Sequence, residues 1–300
     1  MSIEPCYLKT LEKRALLHKV EEAKKHFTNC NLCPHKCGVN RIEEVGVCRA
    51  SERAIVASYG PHLGEERVLV GRRGSGTLFF GYCNLSCVYC QNYEISVYGK
   101  GDIVSNERLA QMMLALQNDY GCHNINLVTP THFVPNILEA VYLAAKSGLK
   151  TPIVYNCGGY ECVETLRLLD GVIDIYMPDL KYASADFGKR YSKVLDYPKR
   201  AKETLREMDR QVGGLKVDSK NSAYRGLLIR HLMLPGGLED TIGVLDFIKK
   251  ELSSDVLVNL MNQYYPSHKA FEYKEIAKRL DLIEYKEAYS YGEKLGLRLI

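Results

Sequence analysis

The sequence lacks the features that mark membrane, secreted and nucleic-acid-binding proteins. No apolar run approaches the roughly 18 residues that a membrane-spanning helix needs. The first residues, MSIEPCYLKTLEKR, mix both charges and contain no apolar stretch, so no signal peptide is visible. Forty basic residues stand against 36 acidic ones, and a net charge of +4 is too small to indicate nucleic acid as the main partner.

Internal repeats and low-complexity segments are also missing, while length and composition are those of an ordinary globular protein. With 300 residues, 46% of them apolar and 25% charged, the chain can form one large or two modest domains. Eleven cysteines in a chain of this size without a signal peptide favour metal or redox use over disulfides. We therefore expect a cytoplasmic protein in a reducing compartment, and an oxygen-free one if a metal cluster is exposed.

Three cysteines with short spacing are the most informative residues. Cys83, Cys87 and Cys90 lie in FFGYCNLSCVYCQN at C-x3-C-x2-C spacing. Four thiolates would close a cubane iron–sulfur cluster for electron transfer, whereas three leave one iron open to bind and activate a small molecule. A partial zinc site or a chance grouping is the alternative interpretation. The spacing predicts a [4Fe–4S] cluster with one iron not bound by protein.

A second cysteine group precedes the first. Cys30, Cys33, Cys37 and Cys48 form C-x2-C-x3-C-x10-C, and four ligands would close a tetrahedral site. Structural zinc is the simplest interpretation, and a second iron–sulfur cluster is the rival because thiolates bind both metals. His35 could replace one cysteine. We expect a metal here and leave its identity open.

The pattern of apolar residues indicates alternating strands and helices. Residues 11–27 have the periodicity of an amphipathic helix. Ser105 is placed to cap a helix over 106–118, Pro135 to open one that Gly148 ends, and 238–252 is periodic. The glycine-rich stretch 71–76 precedes a strand, so it is interpreted as a turn and not as a phosphate loop. Short apolar runs alternate with these helices, and they are TLFFGY, INLVTP, PIVYN, VIDIYMP, RGLLIRHLMLP and VLVNLMN.

Six strands alternating with helices fit either a barrel or a doubly wound parallel sheet. Nearly every run ends in polar groups that can do chemistry, and in barrels the site lies at the carboxyl ends of the strands. We therefore predict an α/β fold, a partial (β/α)6 barrel related to the TIM barrel. The predicted organisation is an N-terminal helix over 1–29, a cysteine-rich metal-binding segment over 30–70, the barrel over 71–266 and a helical extension over 267–300.

From about Gly76 to Pro266 the chain resembles the radical S-adenosylmethionine superfamily, in particular the activating enzymes of pyruvate formate-lyase and their short homologues. The resemblance rests on FFGYCNLSCVYCQN, IYMPDLK and RHLMLPGG. It implies the partial barrel and a [4Fe–4S] cluster that cleaves S-adenosylmethionine to methionine and a 5′-deoxyadenosyl radical, which abstracts hydrogen from a substrate. It also implies a reductant such as ferredoxin or flavodoxin, and a glycyl-radical enzyme as protein substrate.

The resemblance also implies cofactor-binding residues. Tyr89, just before the third cysteine, is expected near the adenine, and Asp179 and Lys181 match an Asp-x-Lys motif that contacts the cofactor. A surface ion pair after a strand is the alternative for that motif. On the fifth strand Arg230 and His231 alternate in direction, so only one of them can point inward. The full predicted cofactor set is Tyr89, Asn92, Thr129, Thr131, Asn156, Met177, Asp179, Lys181 and His231.

One departure from the family pattern concerns the segment after the second strand. Most such enzymes carry Gly-Gly-Glu there, whereas this chain has Thr129-Pro130-Thr131-His132. The hydroxyls of Thr129 and Thr131 and nearby carbonyls can still accept hydrogen bonds from the cofactor's ammonium group. His132 could face the substrate or be a polar loop residue with no such role.

Three functions are compatible with these patterns. The first is a glycyl-radical activase, which needs a broad barrel mouth, and the second is a radical enzyme that modifies a small molecule or peptide in a closed pocket. The third is a non-enzymatic iron–sulfur or zinc protein. The three-cysteine loop argues against simple electron transfer, so an enzyme is the preferred interpretation.

Overall fold

The computed structural model describes residues 4–300. Over these residues it contains ten strands, which are β1 (Ala54–His62), β2 (Ser75–Phe80), β3 (Asp102–Val104), β4 (Ile125–Val128), β5 (Ile153–Cys157), β6 (Ile175–Pro178), β7 (Lys216–Val217), β8 (Ala223–Leu232), β9 (Leu257–Met261) and β10 (Arg298–Leu299).

Eleven α-helices occur in the same described part of the chain. They are α1 (Cys6–Glu12), α2 (Ala15–Lys24), α3 (Arg67–Val70), α4 (Tyr93–Ser96), α5 (Asn106–Asn118), α6 (Val134–Lys146), α7 (Val163–Leu169), α8 (Ala185–Ser192), α9 (Tyr197–Val212), α10 (Leu238–Glu251) and α11 (Leu282–Lys294). None of the helices in residues 4–300 is long and apolar enough to cross a membrane.

The strands form a single open sheet in the order β10-β9-β8-β6-β5-β4-β2-β1-β3, with β7 paired to β8. Neighbouring strands from β2 to β9 run parallel, and these six are the six apolar runs that the sequence predicted. Helices follow β4, β5, β6, β8 and the loop after β2, as parallel crossovers require. The partial (β/α)6 barrel is therefore confirmed, and its sheet is not closed.

The inner face of this half-barrel has an apolar floor and a polar rim. Val154, Ile175, Leu228 and Leu257 pack together on it with α3 beneath them. Because side chains alternate with a period of two, the residues two positions further along each strand share that face. On β8 the residue two beyond Leu228 is Arg230. The inner faces of these strands are therefore apolar at the start of the strand and polar at its carboxyl end.

The predicted helix boundaries hold in the barrel and differ at the N-terminus. Helix α5 is capped by Ser105, whose Oγ accepts a hydrogen bond from the Arg108 backbone N–H. The helices predicted at Pro135 and over 238–252 are confirmed as α6 and α10. The single helix predicted over 11–27 is instead divided, because Arg14 has a φ of 59° and separates α1 from α2.

The sheet also extends beyond the predicted barrel limits. Strand β1 lies in the predicted cysteine-rich segment and pairs antiparallel with β2, and β10 lies in the C-terminal extension and pairs parallel with β9. Neither was visible as a separate strand in the sequence, since β10 has two residues and β1 follows the cysteines without a turn signal. Segments on both sides of residues 71–266 are therefore part of the barrel's own sheet.

Candidate functional site

The carboxyl ends of the parallel strands surround one cavity with two connected lobes. The inner lobe, about 140 Å³, and the outer lobe, about 260 Å³, share six lining residues, which are Cys87, Cys90, Asn92, Asp179, Lys181 and Arg230. Cys83 also lines the inner lobe. The three closely spaced cysteines and the Asp-x-Lys pair, 89 to 98 residues apart along the chain, therefore face the same space.

The loop that carries the three cysteines (residues 83–90, called the cluster loop below) is held from both sides. The Cys90 backbone N–H donates to the Cys87 carbonyl at 3.2 Å and closes a tight turn. The Val88 N–H donates to the Tyr191 carbonyl, and the Val88 carbonyl accepts from the Lys269 N–H, both at 2.8 Å. The main chain thus anchors the loop to α8 and to the segment after β9 without using the cysteine side chains.

Each sulfur of the cluster loop has a polar neighbour. The Leu85 N–H donates to Cys83 Sγ at 3.4 Å. Cys87 Sγ lies 3.0 Å from Ser192 Oγ, and Cys90 Sγ lies 3.1 Å from Ser96 Oγ. Burial raises the pKa of the Cys83 thiol to about 12 and also raises the pKa of Cys87. Metal binding would therefore have to displace protons from these thiols.

A charged network forms the wall opposite the cysteines. The Asp179 carboxylate accepts from Lys181 Nζ at 2.7 Å through Oδ2 and from Arg230 Nε at 2.9 Å through Oδ1. Arg230 also donates to Asn156 Oδ1 at 2.8 Å. Burial by itself would raise the pKa of Asp179, but Arg230 and Lys181 outweigh it and hold this pKa below its ordinary value. The carboxylate is therefore charged at neutral pH.

Two acidic residues of the connection between β1 and β2, Glu65 and Glu66, lie close to the same network. Glu65 Oε2 lies 3.6 Å from a terminal nitrogen of Arg230, and Glu66 accepts from Asn259 Nδ2 at 2.9 Å. Burial, only partly opposed by Arg230, raises the pKa of Glu65 to about 7. Periodicity did not reveal these two residues, because a short acidic turn before α3 has the same sequence pattern as any exposed loop.

Six of the nine predicted cofactor residues line the cavity. Tyr89 faces the outer lobe, Thr129 and Asn156 face the inner lobe, and Asn92, Asp179 and Lys181 face both. The Asp179–Lys181 pair is not the surface ion pair considered as its alternative, because its side chains are only 20% and 17% exposed and point into the cavity.

The other three predicted residues do not line this cavity. Thr131 is fully buried and donates to Glu161 Oε1 at 2.7 Å, and Met177 is fully buried among the apolar floor residues. His231 points to the outer face of β8, where Nδ1 contacts the Leu180 carbonyl at 2.6 Å and Nε2 contacts Thr241 Oγ1 at 2.9 Å. Burial lowers the pKa of His231, as expected of a neutral packing residue.

His132 has a similar packing role. It is 2% exposed, and its Nε2 lies 2.8 Å from the Gly81 carbonyl. Burial lowers its pKa to about 3, so the ring is neutral across the physiological range. Of the two interpretations of this residue, the loop residue without a substrate contact agrees with its position.

Arg230 is the principal site residue that the sequence did not single out. It joins Asp179, Asn156 and Glu65 and lines both lobes. The available signal was the alternation of Arg230 and His231, from which only one residue could point inward. Arg230 lies two positions after Leu228, whose side chain is on the inner face. The period-two alternation along β8 therefore places Arg230 on the inner face as well.

The second cysteine group lies beside the cluster loop. His35 Nε2 contacts the Asn84 carbonyl at 2.8 Å, and Cys30, Cys33 and Cys48 are buried. A Cβ on Gly46 would lie 3.4 Å from Cys37 Sγ and 3.5 Å from Cys48 Sγ, so these two sulfurs are neighbours.

The thiols of this group are free and largely buried. Burial raises the pKa of the Cys30, Cys33 and Cys48 thiols, and a backbone N–H two residues further along partly opposes this in each. All eleven cysteines are free, and within residues 4–300 no three His, Cys, Asp or Glu side chains converge closely enough to hold a single metal ion.

The cluster loop fits a multi-iron cluster by its chemistry. Such a cluster takes each thiolate on a different iron, so its ligands must face one cavity. Cys83, Cys87 and Cys90 line one cavity, which Asn156, Asp179, Lys181 and Arg230 also line. These side chains carry both signs of charge and several hydrogen-bonding groups, which suits a zwitterionic molecule bound next to the cluster.

Comparison with known proteins agrees with this geometry. A family model for the radical SAM superfamily matches residues 77–215. Uncharacterized protein MJ0674 of Methanocaldococcus jannaschii is 38% identical over 292 residues, which cover 94% of this chain and 79% of the relative. Uncharacterized protein MJ0808 of the same organism is 23% identical over 272 residues, 83% of this chain and 74% of the relative.

Solved structures are similar at lower identity. Streptococcus suis SuiB bound to the precursor peptide SuiA is 16% identical, with a TM-score of 0.48 over 73% of this chain and 46% of that chain. The methylornithine synthase PylB is 15% identical, with a TM-score of 0.46 over 74% of this chain and 69% of that chain. This chain thus spans less than half the length of SuiB. By its sequence the chain belongs to the radical SAM superfamily, whose members use a [4Fe–4S] cluster and S-adenosylmethionine.

Proposed function

We propose that this protein cleaves S-adenosylmethionine reductively, with Cys83, Cys87 and Cys90 as the ligands of a [4Fe–4S] cluster. The observation that carries the proposal is the shared cavity, in which three thiols face the Asp179–Lys181–Arg230 network. When bound, the cluster supplies the electron that converts the cofactor to methionine and a 5′-deoxyadenosyl radical, which takes a hydrogen atom from the substrate. The protein residues bind and orient the cofactor and limit access of water.

The charged wall suits the polar groups of S-adenosylmethionine. The cofactor carries a carboxylate, an ammonium, a sulfonium and two ribose hydroxyls. Lys181 and Arg230 offer donors to a carboxylate, while Asp179 offers acceptor sites to an ammonium or to hydroxyls. All three side chains are already ordered by mutual hydrogen bonds at 2.7 and 2.9 Å, so little conformational entropy is lost on binding.

The remaining lining residues suit the apolar parts of the cofactor. Tyr89 is 5% exposed and presents its ring to the outer lobe, where it is held edge-on by Tyr182 and Tyr264. A fixed aromatic ring is a good stacking surface for adenine. Thr129 and Asn156 add hydrogen-bonding groups on the inner side.

The test is anaerobic iron–sulfur reconstitution followed by incubation with S-adenosylmethionine and dithionite. The expected product is 5′-deoxyadenosine, and a triple variant with Cys83, Cys87 and Cys90 changed to alanine should produce none. A protein that binds about four irons at this loop yet makes no deoxyadenosine would instead be a non-enzymatic iron–sulfur protein.

For the substrate, we propose a glycine residue of a partner protein. Support comes from the resemblance of FFGYCNLSCVYCQN and IYMPDLK to activating enzymes of pyruvate formate-lyase. Peptides with glycine deuterated at Cα give the test, because hydrogen abstraction would carry deuterium into deoxyadenosine. Deoxyadenosine without deuterium from any glycine peptide would favour the small-molecule or other peptide modifier. Ferredoxin or flavodoxin is the proposed electron donor in place of dithionite.

We also propose that Cys30, Cys33, Cys37 and Cys48 hold a structural metal. Support comes from the burial of Cys30, Cys33 and Cys48 and from the backbone N–H groups that favour their thiolates. A zinc ion would require these sulfurs to move to about 2.3 Å from a common point, whereas a second cluster tolerates wider spacing. Elemental analysis of the Cys83/Cys87/Cys90 triple variant distinguishes zinc from residual iron.

A further inference from the structure

We propose that Ser192 and Ser96 donate hydrogen bonds to the Cys87 and Cys90 sulfurs and thereby raise the reduction potential of the cluster that these cysteines hold. The inference rests on the proposed function, because it assumes that the cluster loop binds that cluster. It concerns two residues that no sequence motif includes, and it gives both a positioning role.

The geometry places one hydroxyl on each of two sulfurs. Ser192 Oγ lies 3.0 Å from Cys87 Sγ, and Ser96 Oγ lies 3.1 Å from Cys90 Sγ. Both serines are the last residues of short helices, α8 and α4. The main-chain bond from Val88 to Tyr191 also ties the helix that carries Ser192 to the cluster loop.

The state of the sulfur decides the direction of each hydrogen bond. A cysteine bound to iron is a thiolate, which has no hydrogen to give and can only accept. At hydrogen-bonding distance each serine hydroxyl then points its hydrogen at the sulfur. Hydrogen bonds to a charged acceptor are roughly twice as strong as those between neutral groups.

The Ser192 hydroxyl also contacts a pair of hydrogen-bonded tyrosine hydroxyls. The Tyr182 hydroxyl lies 2.7 Å from Ser192 Oγ, and the Tyr182 and Tyr89 hydroxyls are 2.7 Å apart. Ser192 is 1% exposed and Tyr182 is fully buried, so water does not compete for these groups. The Tyr182 hydroxyl donates its hydrogen to Tyr89, so the Ser192 hydroxyl has two acceptors within reach, Tyr182 and Cys87. It donates to the Cys87 thiolate, because hydrogen bonds to a charged acceptor are the stronger ones.

The third sulfur has only a main-chain donor. The Leu85 N–H reaches Cys83 Sγ at 3.4 Å, a longer contact that no side-chain change removes. The two serines are therefore the adjustable donors around the three ligands. Hydrogen bonds to cluster sulfurs are among the factors that determine reduction potential, and they stabilise the more negative, reduced state more than the oxidised state.

The experiment is a redox titration of the reconstituted protein without S-adenosylmethionine, followed by electron paramagnetic resonance of the reduced cluster. We expect Ser192→Ala to decrease the reduced-to-oxidised ratio at a fixed potential about tenfold, a shift of about 59 mV to more negative values for one electron. Ser96→Ala should shift the midpoint in the same direction by less, because Ser96 is partly exposed. Ser192→Thr keeps the hydroxyl and should restore the wild-type midpoint.

Ser86→Ala is the matched control, since Ser86 lies in the same loop but is exposed. Midpoints of Ser192→Ala and Ser96→Ala equal to that of Ser86→Ala would overturn the inference while leaving the proposed function intact. A wild-type protein without a reducible cluster would remove the proposed function itself. If Ser192→Ala binds no iron, Ser96→Ala is the variant that tests the inference. A midpoint potential of Ser96→Ala equal to that of the wild type would then reject it.

Discussion

The two cysteine groups of this protein lie side by side yet differ in what their thiols face. Cys83, Cys87 and Cys90 line a cavity and are partly exposed to it. The second group lies in the predicted cysteine-rich segment over 30–70, and its Cys30, Cys33 and Cys48 are buried. His35 links the groups through its 2.8 Å contact with the Asn84 carbonyl. Spacing alone would class both as metal-binding motifs.

We infer that the charged network beside the cluster loop, and not cysteine count, separates the proposed reactive site from the proposed structural one. A closed ligand set can stabilise a fold, whereas an open ligand set beside charged groups can bind a second molecule. The four predictions below test this distinction, beginning with the largest expected effect.

The strongest test removes one cysteine from each group. Cys83→Ala should reduce deoxyadenosine formation to background, because the proposed cluster would lose one of its three protein ligands. Cys33→Ala should retain cleavage but lower the thermal midpoint by at least about 5 °C, the shift that a loss of about 2 kcal/mol produces. Product analysis and calorimetry measure the two effects. Loss of cleavage in both variants with equal iron loss would show that the groups are one functional unit.

The next test concerns the charged wall of the cavity that the cluster loop lines. Asp179→Asn leaves Arg230 and Lys181 without their carboxylate, and breaking such a buried ion pair costs about 3 kcal/mol. We also expect affinity for S-adenosylmethionine to fall at least about tenfold, measured by isothermal titration calorimetry. Asp170→Asn is the control, because its bridge to Arg210 is exposed and such pairs contribute about 1 kcal/mol or less. Equal effects of the two variants would contradict the proposed cofactor wall.

A third test removes hydrogen bonds that attach the cysteine-rich segment to the barrel and leaves all cysteines unchanged. The Arg41 side chain is fully buried and donates to the carbonyls of Ser51 and His132, which joins the segment to the barrel. Arg41→Met leaves both carbonyls unpaired and should lower the unfolding free energy by about 2 kcal/mol, measured with urea. Arg53→Met, at an exposed position, should change it little. Deoxyadenosine formation at low temperature should persist in both variants.

The smallest effect is a pH dependence at Glu161, next to a residue that the cluster loop contacts. Glu161 is 1% exposed, accepts from Thr131 and Tyr155, and follows Tyr160, whose carbonyl accepts from Asn84 of the cluster loop. Burial raises its pKa from the ordinary value of 4.5 to about 7. Between these values the unfolded state has lost the proton that the folded state keeps, so stability falls as pH rises from 4.5 to about 7 and then levels off.

Glu161→Gln should reduce this decline by an amount on the order of 1–3 kcal/mol. The part due to Glu65, whose pKa is also raised to about 7, should remain. Urea unfolding at pH 5 and pH 8 measures the decline, with the exposed Glu164→Gln as control. A Glu161→Gln protein that still loses as much stability as wild type between these pH values would exclude this carboxyl as the cause.

Much of the fold was predictable because the barrel obeys local rules. Each of the six apolar runs became a parallel strand, and Ser105 capped α5 through a side chain three residues from its partner. The boundary errors occurred where local rules give no signal. Arg14 adopts a left-handed conformation inside a periodic helix pattern, and β10 exists only because residues 298–299 meet the edge of β9.

The sequence by itself determined the spacing of the cysteines and the polar residues that follow each successive strand. Both depend on residue type and local periodicity, and together they indicated the superfamily. Only the tertiary structure decided that Arg230 and not His231 faces the cavity, that Glu65 joins its network, and that Ser96 and Ser192 reach the sulfurs. Such contacts join residues from 6 to 165 positions apart. They depend on strand register and helix packing, which no local pattern encodes.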